Sequence, residues 1–450
     1  MSLSPARRAA FDILRRVEDE SAYASSLLAT LEEPLRDDDR ALCHELVLGV
    51  LRRQLWLDCV LEHFAKRHLE KIDSPVRLSL RIGLYQLRYL SRIPASAAVN
   101  ESVNLVRAAG LSSAAGFTNA ILRRAAREPN YDPAENVSDP IEKLAIQTSH
   151  PPWFIERWSI ALGLEEAGLL ARANNEPAPG SFRLTAKAIA KAGAAQQIIE
   201  ELTAAGADVR LSKITPNAWR VGQRPPLFRD LISDGLIYLQ DEASQLAAHF
   251  LDTQPNDRVL DLCAAPGSKA SHMAALTPRA MIVGSDVYEH RVRILRELAA
   301  LQGIDSFPAI VADATTVLPF APASFDRVLV DAPCSGTGTL RHNPEIRWRL
   351  KPADIANLAA KQNQILTRAA EMVRPGGRLL YSTCSLESDE NEAVAGHFAT
   401  EHTEFDQLRL ANPRNPDDAP GLATASGAIR TSPHRHDVDG FFMIGFQRRA

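Results

Sequence analysis

From Leu236 onward, short apolar runs alternate with helical stretches. The runs are RVLDLC, AMIVGSDV, FPAIVADA, DRVLVDAP and GRLLYSTC, separated by segments such as Arg291–Gln302 and Ala353–Val373. Strand–helix alternation requires a parallel, doubly wound sheet, because a parallel strand pair needs a crossover long enough to hold a helix. Ligands of such sheets bind outside the carboxyl ends of the strands, so chemistry is sought in the residues that follow each run. These are CAAPGSK (Cys263 to Lys269), Asp286, Asp313, the DAPCSGTG turn (Asp331 to Gly338) and Cys384 in STCS. A PGG turn (Pro375 to Gly377) precedes the last run, and VDGFFMIGFQRR closes the chain as an expected edge strand.

The chain ahead of this domain has a different rhythm. From Ala6 to about Glu128 apolar residues recur every three or four positions, as in Phe11, Leu14 and Val17, which predicts an all-helical bundle. Arg77, Arg81, Arg88 and Arg92 fall on one face of a helical wheel, either as a nucleic-acid-facing stripe or as a solvated face. The proline- and aspartate-rich PNYDPAENVSDP reads as a linker. Beyond it SFRLTA and AWRVG look like strands, and Ala188–Ala204 like a helix, of a small α+β subdomain. The expected architecture is therefore multidomain: 1–128 an all-α bundle, 129–140 a linker, 141–235 a small α+β subdomain, and 236–450 the α/β Rossmann-like domain.

Charge and cysteine usage narrow the function classes. The net charge of −4 argues against a generic polyanion binder, although residues 1–128 hold 19 Lys and Arg against 16 Asp and Glu, a surplus of +3 that leaves −7 elsewhere. Five cysteines, odd in number and never in a CxxC pair, indicate neither a disulfide framework nor a zinc site, and suit a reducing cytosol. No metal ligation, membrane span or amino-terminal signal is expected, and the chain is expected to be a cytoplasmic monomer.

CAAPGSK follows the first strand without either the GxGxxG or the Walker phosphate pattern, so it reads as a cofactor loop that does not cradle phosphates. Asp286 is placed to take the ribose hydroxyls of an adenosine, and Asp313 the adenine amine. Any one such acid alone equally fits a helix cap, and a lone cysteine at a strand end equally fits a small buried hydrophobe.

DAPCSGTG followed by HNPEIRWR, together with CAAPGSK, QDEASQ, STCS and the closing DGFF, resembles the RNA cytosine-5 methyltransferases. AVNESVNLVR and GFTNAILRR resemble the RNA-binding bundle of the antitermination factor NusB, which points to the bacterial members acting on 16S ribosomal RNA. The resemblance implies methyl transfer from S-adenosylmethionine to carbon 5 of a cytosine. Carbon 5 is a weak nucleophile, so a thiolate adds first at carbon 6. Cys384 would be that thiolate, Asp331 would hold the base edge, and Cys334 would promote elimination of the enzyme. Cys263, Ala264, Ala265, Pro266, Gly267, Ser268, Lys269, Asp286, Asp313 and Asp331 would contact S-adenosylmethionine. Two positions depart from the family's habit: Ser268 replaces a common glycine and Ala270 a threonine, and because both are small the loop is expected to survive. HNPEIRWR would be a substrate-facing loop. The target base must leave its stack to reach the thiol, so single-stranded or loop RNA is the expected partner. The rival readings are a transfer-RNA cytosine-5 methyltransferase, a non-catalytic RNA-binding assembly factor, and an amino-group methyltransferase, whose usual NPPY-like turn is absent because Cys334 follows Pro333.

Overall fold

The computed structural model describes residues 3–31, 35–190, 193–411 and 421–450. It divides into two compact units, 1–177 with 340–349, and 178–339 with 350–450.

The first unit is helical: α1 (Pro5–Asp19), α2 (Ala24–Leu31), α3 (Asp37–Arg52), α4 (Gln54–Ala65), α5 (Ser74–Tyr89), α6 (Ala95–Ala108), α7 (Ala115–Arg127), α8 (Pro140–Thr148), α9 (Pro152–Leu162) and α10 (Leu164–Ala173). Helix α5 is buried almost all round from Val76 to Gln86 and packs against α1, α3, α4, α6 and α7, as a central bundle helix must. Its arginines are spent internally rather than forming an open stripe. Arg81 makes a bidentate pair with Asp58 (2.7 and 2.8 Å), Arg77 pairs with Glu18, and Arg88 donates to the Glu128 carbonyl (2.8 Å), leaving Arg92 exposed. Three of the four side chains meet a carboxylate or carbonyl of another element, Asp58, Glu18 or Glu128, so the row is not an open stripe.

Residues 140–173 belong to the helical unit by compactness, and Ser149 Oγ accepts the Leu55 and Trp56 N–H groups (2.9 and 3.3 Å), capping the first turn of α4. One further expectation, that of HNPEIRWR, is corrected in this unit. HNPEIRWR is not an open substrate loop. Arg347 is fully buried and donates to Ser149 O, Asn175 Oδ1 and Asn174 O, while Trp348 Nε1 donates to Leu51 O (2.8 Å) and Glu345 accepts from Ala24 N (2.8 Å). With no carboxylate among those partners, burial lowers the Arg347 pKa to about 9.

The second unit holds two sheets. The smaller, β2-β3-β1-β4, is antiparallel and consists of β1 (Gly180–Leu184), β2 (Val209–Leu211), β3 (Ala218–Val221) and β4 (Ile237–Leu239). Two-residue periodicity divides its faces: Phe182 enters the core with Trp219 and Phe228, and Arg183 points the other way. The helix expected over Ala188–Ala204 is two, Ala186–Ile189 and Ala194–Ala204.

The larger sheet runs β10-β12-β9-β8-β5-β6-β7, where β5 is Arg258–Asp261, β6 Met281–Asp286, β7 Ala309–Val311, β8 Phe325–Asp331, β9 Val373–Thr383, β10 Phe405–Leu408 and β12 Phe442–Arg448, with β11 (Ile429–Arg430) also on β12. Strands β5 to β9 are parallel and β10 to β12 antiparallel, so the sheet is mixed. Both faces are covered. Phe442, Ile444, Tyr381 and Val330 meet helices Pro352–Met372 and Glu392–Glu401 on one side, and Met443, Leu380 and Leu329 meet helices Glu242–Leu251, Ser268–Leu276 and Glu289–Leu301 on the other. Strand β12 is an interior strand and β10 the edge, because Phe442 to Ile444 and Phe446 are apolar on both faces. The PGG turn proves to be an irregularity inside β9, beside the register shift against Phe325 and Arg327. Part of the Pro- and Asp-rich tail of Ala411–His436 lies outside the described residues.

Candidate active site

The parallel strands deliver the sequence candidates to one edge. Asp261, Asp286 and Asp331 end β5, β6 and β8, Cys384 follows the last residue of β9, and Asp313 lies two residues beyond β7. The order reverses between β5 and β8, the switch point where the crevice of an open α/β sheet forms.

Four groups meet at the β8–β9 end. Cys334 Sγ lies 3.3 Å from Cys384 Sγ, and both cysteines are half-buried. Asp331 is held at each oxygen, by Ser382 Oγ on Oδ1 (2.7 Å) and Lys269 Nζ on Oδ2 (2.6 Å). Burial works against the Lys269 ammonium, but Asp331, Cys384 and Asp261 outweigh it and hold its pKa above the usual lysine value. The hydrogen bond with Cys384, together with burial and the nearby Glu390, pushes the Cys334 thiol well above the ordinary cysteine range. At neutral pH Cys334 therefore stays an S–H, able to donate to a Cys384 thiolate. The two turns touch through glycine: Gly338 N donates to Cys384 O (2.9 Å) and Gly440 N to Gly338 O (2.8 Å). A Cβ at Gly338 would collide with the Gly440 carbonyl and lie 2.8 Å from that of Cys384.

The loop Cys263 to Lys269 leaves β5 with Ala264 and Ala265 buried and Pro266 exposed. Gly267 takes φ +114°, and helix Ser268–Leu276 starts immediately after it. Ser268 is already helical, so the glycine habitual at that position is not needed, and Ala270 is fully buried. Asp286 is buried and accepts from Tyr288 N (3.2 Å) and Arg291 (3.1 Å); Arg291 also donates to Ala265 O (2.9 Å), tying the acid to the loop. Asp313 is exposed, and Thr315 N and Oγ1 occupy its carboxylate (2.9 and 2.7 Å), which draws its pKa below the usual value. It stands at the same sheet edge but is not bonded into the cluster.

Sequence reasoning passed over several groups. Asp261 is 1 % exposed, and neither carboxyl oxygen meets a full hydrogen bond, the Cys263 N–H being a weak partner. Burial first and Asp331 second raise its pKa to about 7. An orphaned carboxyl beside small buried loop residues and further acids is a cradle suited to a cationic ligand. Arg183, buried, donates to Ser268 O (3.1 Å), Ser271 Oγ (2.8 Å) and Gln240 Oε1 (2.8 Å), fixing the start of helix Ser268–Leu276. Glu390, Gln362, Ser335 and Ser385 form a buried polar cluster behind the cysteines. Only the strand-end rule was available as a signal, and it points to Asp261 but not to the others.

Among the described residues no helix is long and apolar enough to cross a membrane. Three family models match the chain: 16S rRNA methyltransferase RsmB/F over residues 248–447, the NusB family over 4–127, and the ferredoxin-like domain of RsmF/B-like methyltransferases over 150–227. The probable ribosomal RNA small subunit methyltransferase B of Bacillus subtilis is 33% identical over 100% of both chains. That of Synechocystis is 34% identical, covering 98% of this chain and 99% of its own. The crystal structure of PH0851 superposes with a TM-score of 0.83 at 28% identity, covering 100% of each chain. A NusB-type helical bundle, a small antiparallel sheet and a methyltransferase domain in one chain, with these relatives along its whole length, leave one assignment: the protein belongs to the RsmB/F family of methyltransferases.

Proposed function

We propose that the protein transfers a methyl group from S-adenosylmethionine to carbon 5 of a cytosine in 16S ribosomal RNA, through a covalent bond between Cys384 and carbon 6. The observation that carries this reading is the pair of thiols 3.3 Å apart at the carboxyl edge of the sheet, with Asp331 fixed beside them. Bound S-adenosylmethionine would supply an electrophilic methyl. The loop Cys263 to Lys269, with Asp286 and Asp313, would hold its adenosine, and the acidic edge that includes Asp261 suits its positive charges.

The two thiols divide the work. The attacking group is a thiolate, and Cys384 Sγ has the Cys334 S–H as a hydrogen-bond donor 3.3 Å away. Cys384 Sγ then attacks carbon 6 while Asp331, its two oxygens oriented by Ser382 and Lys269, contacts N3 and the exocyclic amine. Carbon 5 gains enamine character and takes the methyl as the methyl–sulfur bond of the donor breaks, leaving the neutral thioether S-adenosylhomocysteine. Water in the crevice removes the carbon 5 proton, the electron pair re-forms the carbon 5–carbon 6 double bond and Cys384 leaves as a thiolate, which the adjacent Cys334 S–H promotes by hydrogen-bonding to the departing sulfur. Reaching carbon 6 requires an unstacked base, so the substrate is single-stranded or loop RNA.

A covalent-trapping assay tests the assignment. Cys334→Ala accumulates an RNA–protein adduct resistant to denaturation, whereas Cys384→Ala forms none and is inactive. Survival of the adduct without Cys384 would move the nucleophile elsewhere. Parallel assays on ribosomal RNA and transfer RNA decide the substrate.

A further inference from the structure

Behind the two cysteine turns lies a carboxylate that the chemistry above does not use. Glu390 is fully buried, and its hydrogen bonds reach both turns of the thiol pair. Oε1 accepts Ser335 N (2.9 Å), the residue after Cys334, and Gln362 Nε2 (2.9 Å). Oε2 accepts the hydroxyls of Ser335 and of Ser385, the residue after Cys384 (2.5 Å to the latter). The serine hydroxyls also lie 3.0 Å from one another. Gln362 Nε2 additionally donates to Pro333 O (2.9 Å), and Tyr381 OH, from the strand that ends at Thr383, donates to Gln362 Oε1 (3.1 Å) and Glu390 O (2.6 Å). Four donors converge on two oxygens, the complement an acceptor-only carboxylate requires and a buried network must satisfy to be rigid. No lysine or arginine is among these partners, so the group is held by turn backbone, hydroxyls and the Gln362 amide.

We infer that Glu390 is a positioning residue that holds the Cys334 and Cys384 turns in register, keeping the two thiols adjacent through both halves of the reaction. Neighbouring Asn391 extends the same clamp, donating from Nδ2 to Ser385 O (2.9 Å) and accepting from Thr383 Oγ1 (2.5 Å). The thiols themselves have no covalent link, and their side chains are short. A shift of one turn by about 1 Å therefore separates them, and such misplacements cost about a hundredfold in rate.

This inference rests on the cysteine roles proposed above, so its test includes a readout independent of methyl transfer. Diamide takes two electrons and two protons from a thiol pair, and it joins Cys334 to Cys384 only where they are adjacent, because disulfide geometry is narrow. In RNA-free full-length enzyme, with the bridge quantified by mass spectrometry, Glu390→Ala should slow its formation at least about tenfold. Glu390→Gln should stay within about threefold of wild type, because its oxygen accepts from Ser335 N and Gln362 while its amide donates to the two hydroxyls. The Ser335→Ala/Ser385→Ala double variant removes both hydroxyl donors from the other side and should slow bridging like Glu390→Ala, which covers the case in which that variant does not fold. In turnover, Glu390→Ala should lower kcat about a hundredfold with KM for RNA within about threefold. Exposed Glu392, paired with Arg430, is the control position. Wild-type bridging rates in Glu390→Ala and in the double serine variant overturn the inference. Absence of methyl transfer in every protein, with bridging altered as described, overturns the proposed activity and leaves the positioning role standing.

Discussion

Asp261→Asn replaces a buried, orphaned carboxyl with an amide of the same shape, and its effect on stability has a sign that pH reveals. The side chain's folded pKa is raised to about 7, against about 4 in an unfolded chain. A raised acid binds its proton more tightly folded than unfolded. The stability this contributes is complete below pH 4 and lost as pH rises through 7. At about 1.4 kcal/mol per pH unit across that window, the wild type loses roughly 4 kcal/mol from this one group, and asparagine, which does not titrate, loses none. Water entering the crevice lowers the figure, so about 2 kcal/mol between pH 5 and pH 7 is the expected growth in the mutant's advantage, with little further change at pH 8. The assay is urea unfolding of both proteins without ligand at pH 5, 6, 7 and 8, read by pulse proteolysis with cleavage inside residues 258–331 identified by mass spectrometry. Groups common to both proteins cancel in the difference. A mutant-minus-wild-type difference independent of pH over this range would mean that Asp261 is solvated or paired, and the cationic-ligand cradle built on its orphaned oxygens would fall with it.

Lys269→Met strips Asp331 of one of its two partners and should destabilise the second unit by about 3 kcal/mol in the same unfolding assay; a loss under about 1 kcal/mol would show the pair to be solvated. Arg81→Ala leaves the half-buried Asp58 without its bidentate partner, costing about 3 kcal/mol, yet should not alter the salt dependence of RNA binding. Arg92→Ala, at the exposed end of the same row, is the comparison; a shallower salt slope for Arg81→Ala would return that face to the RNA.

How far the sequence could be read depends on the range of the interaction. The strand positions of GRLLYSTC and DRVLVDAP were legible because burial on both faces of a sheet leaves a local run of apolar residues. Asp286, Asp331 and Cys384 were legible because the carboxyl edge of a parallel sheet follows from strand direction alone. HNPEIRWR was misread for the opposite reason. Its charged residues look solvent-facing, and nothing local reveals that Ser149, Asn174 and Asn175 supply buried acceptors for Arg347. The arginines of α5 misled in the same way, since Asp58 and Glu18 lie outside that helix.

The sequence by itself determined the helical bundle, the strand–helix alternation and the edge on which two thiols and a row of acids would stand, all consequences of periodicity and chain direction. Only the tertiary structure decided that Cys334 and Cys384 lie 3.3 Å apart, that neither oxygen of Asp261 meets a full hydrogen bond and that Glu390 hydrogen-bonds to both turns. The physical reason is that hydrogen bonds and charge interactions act over a few ångströms between residues distant in the chain, and those distances exist only once the sheet has closed around them.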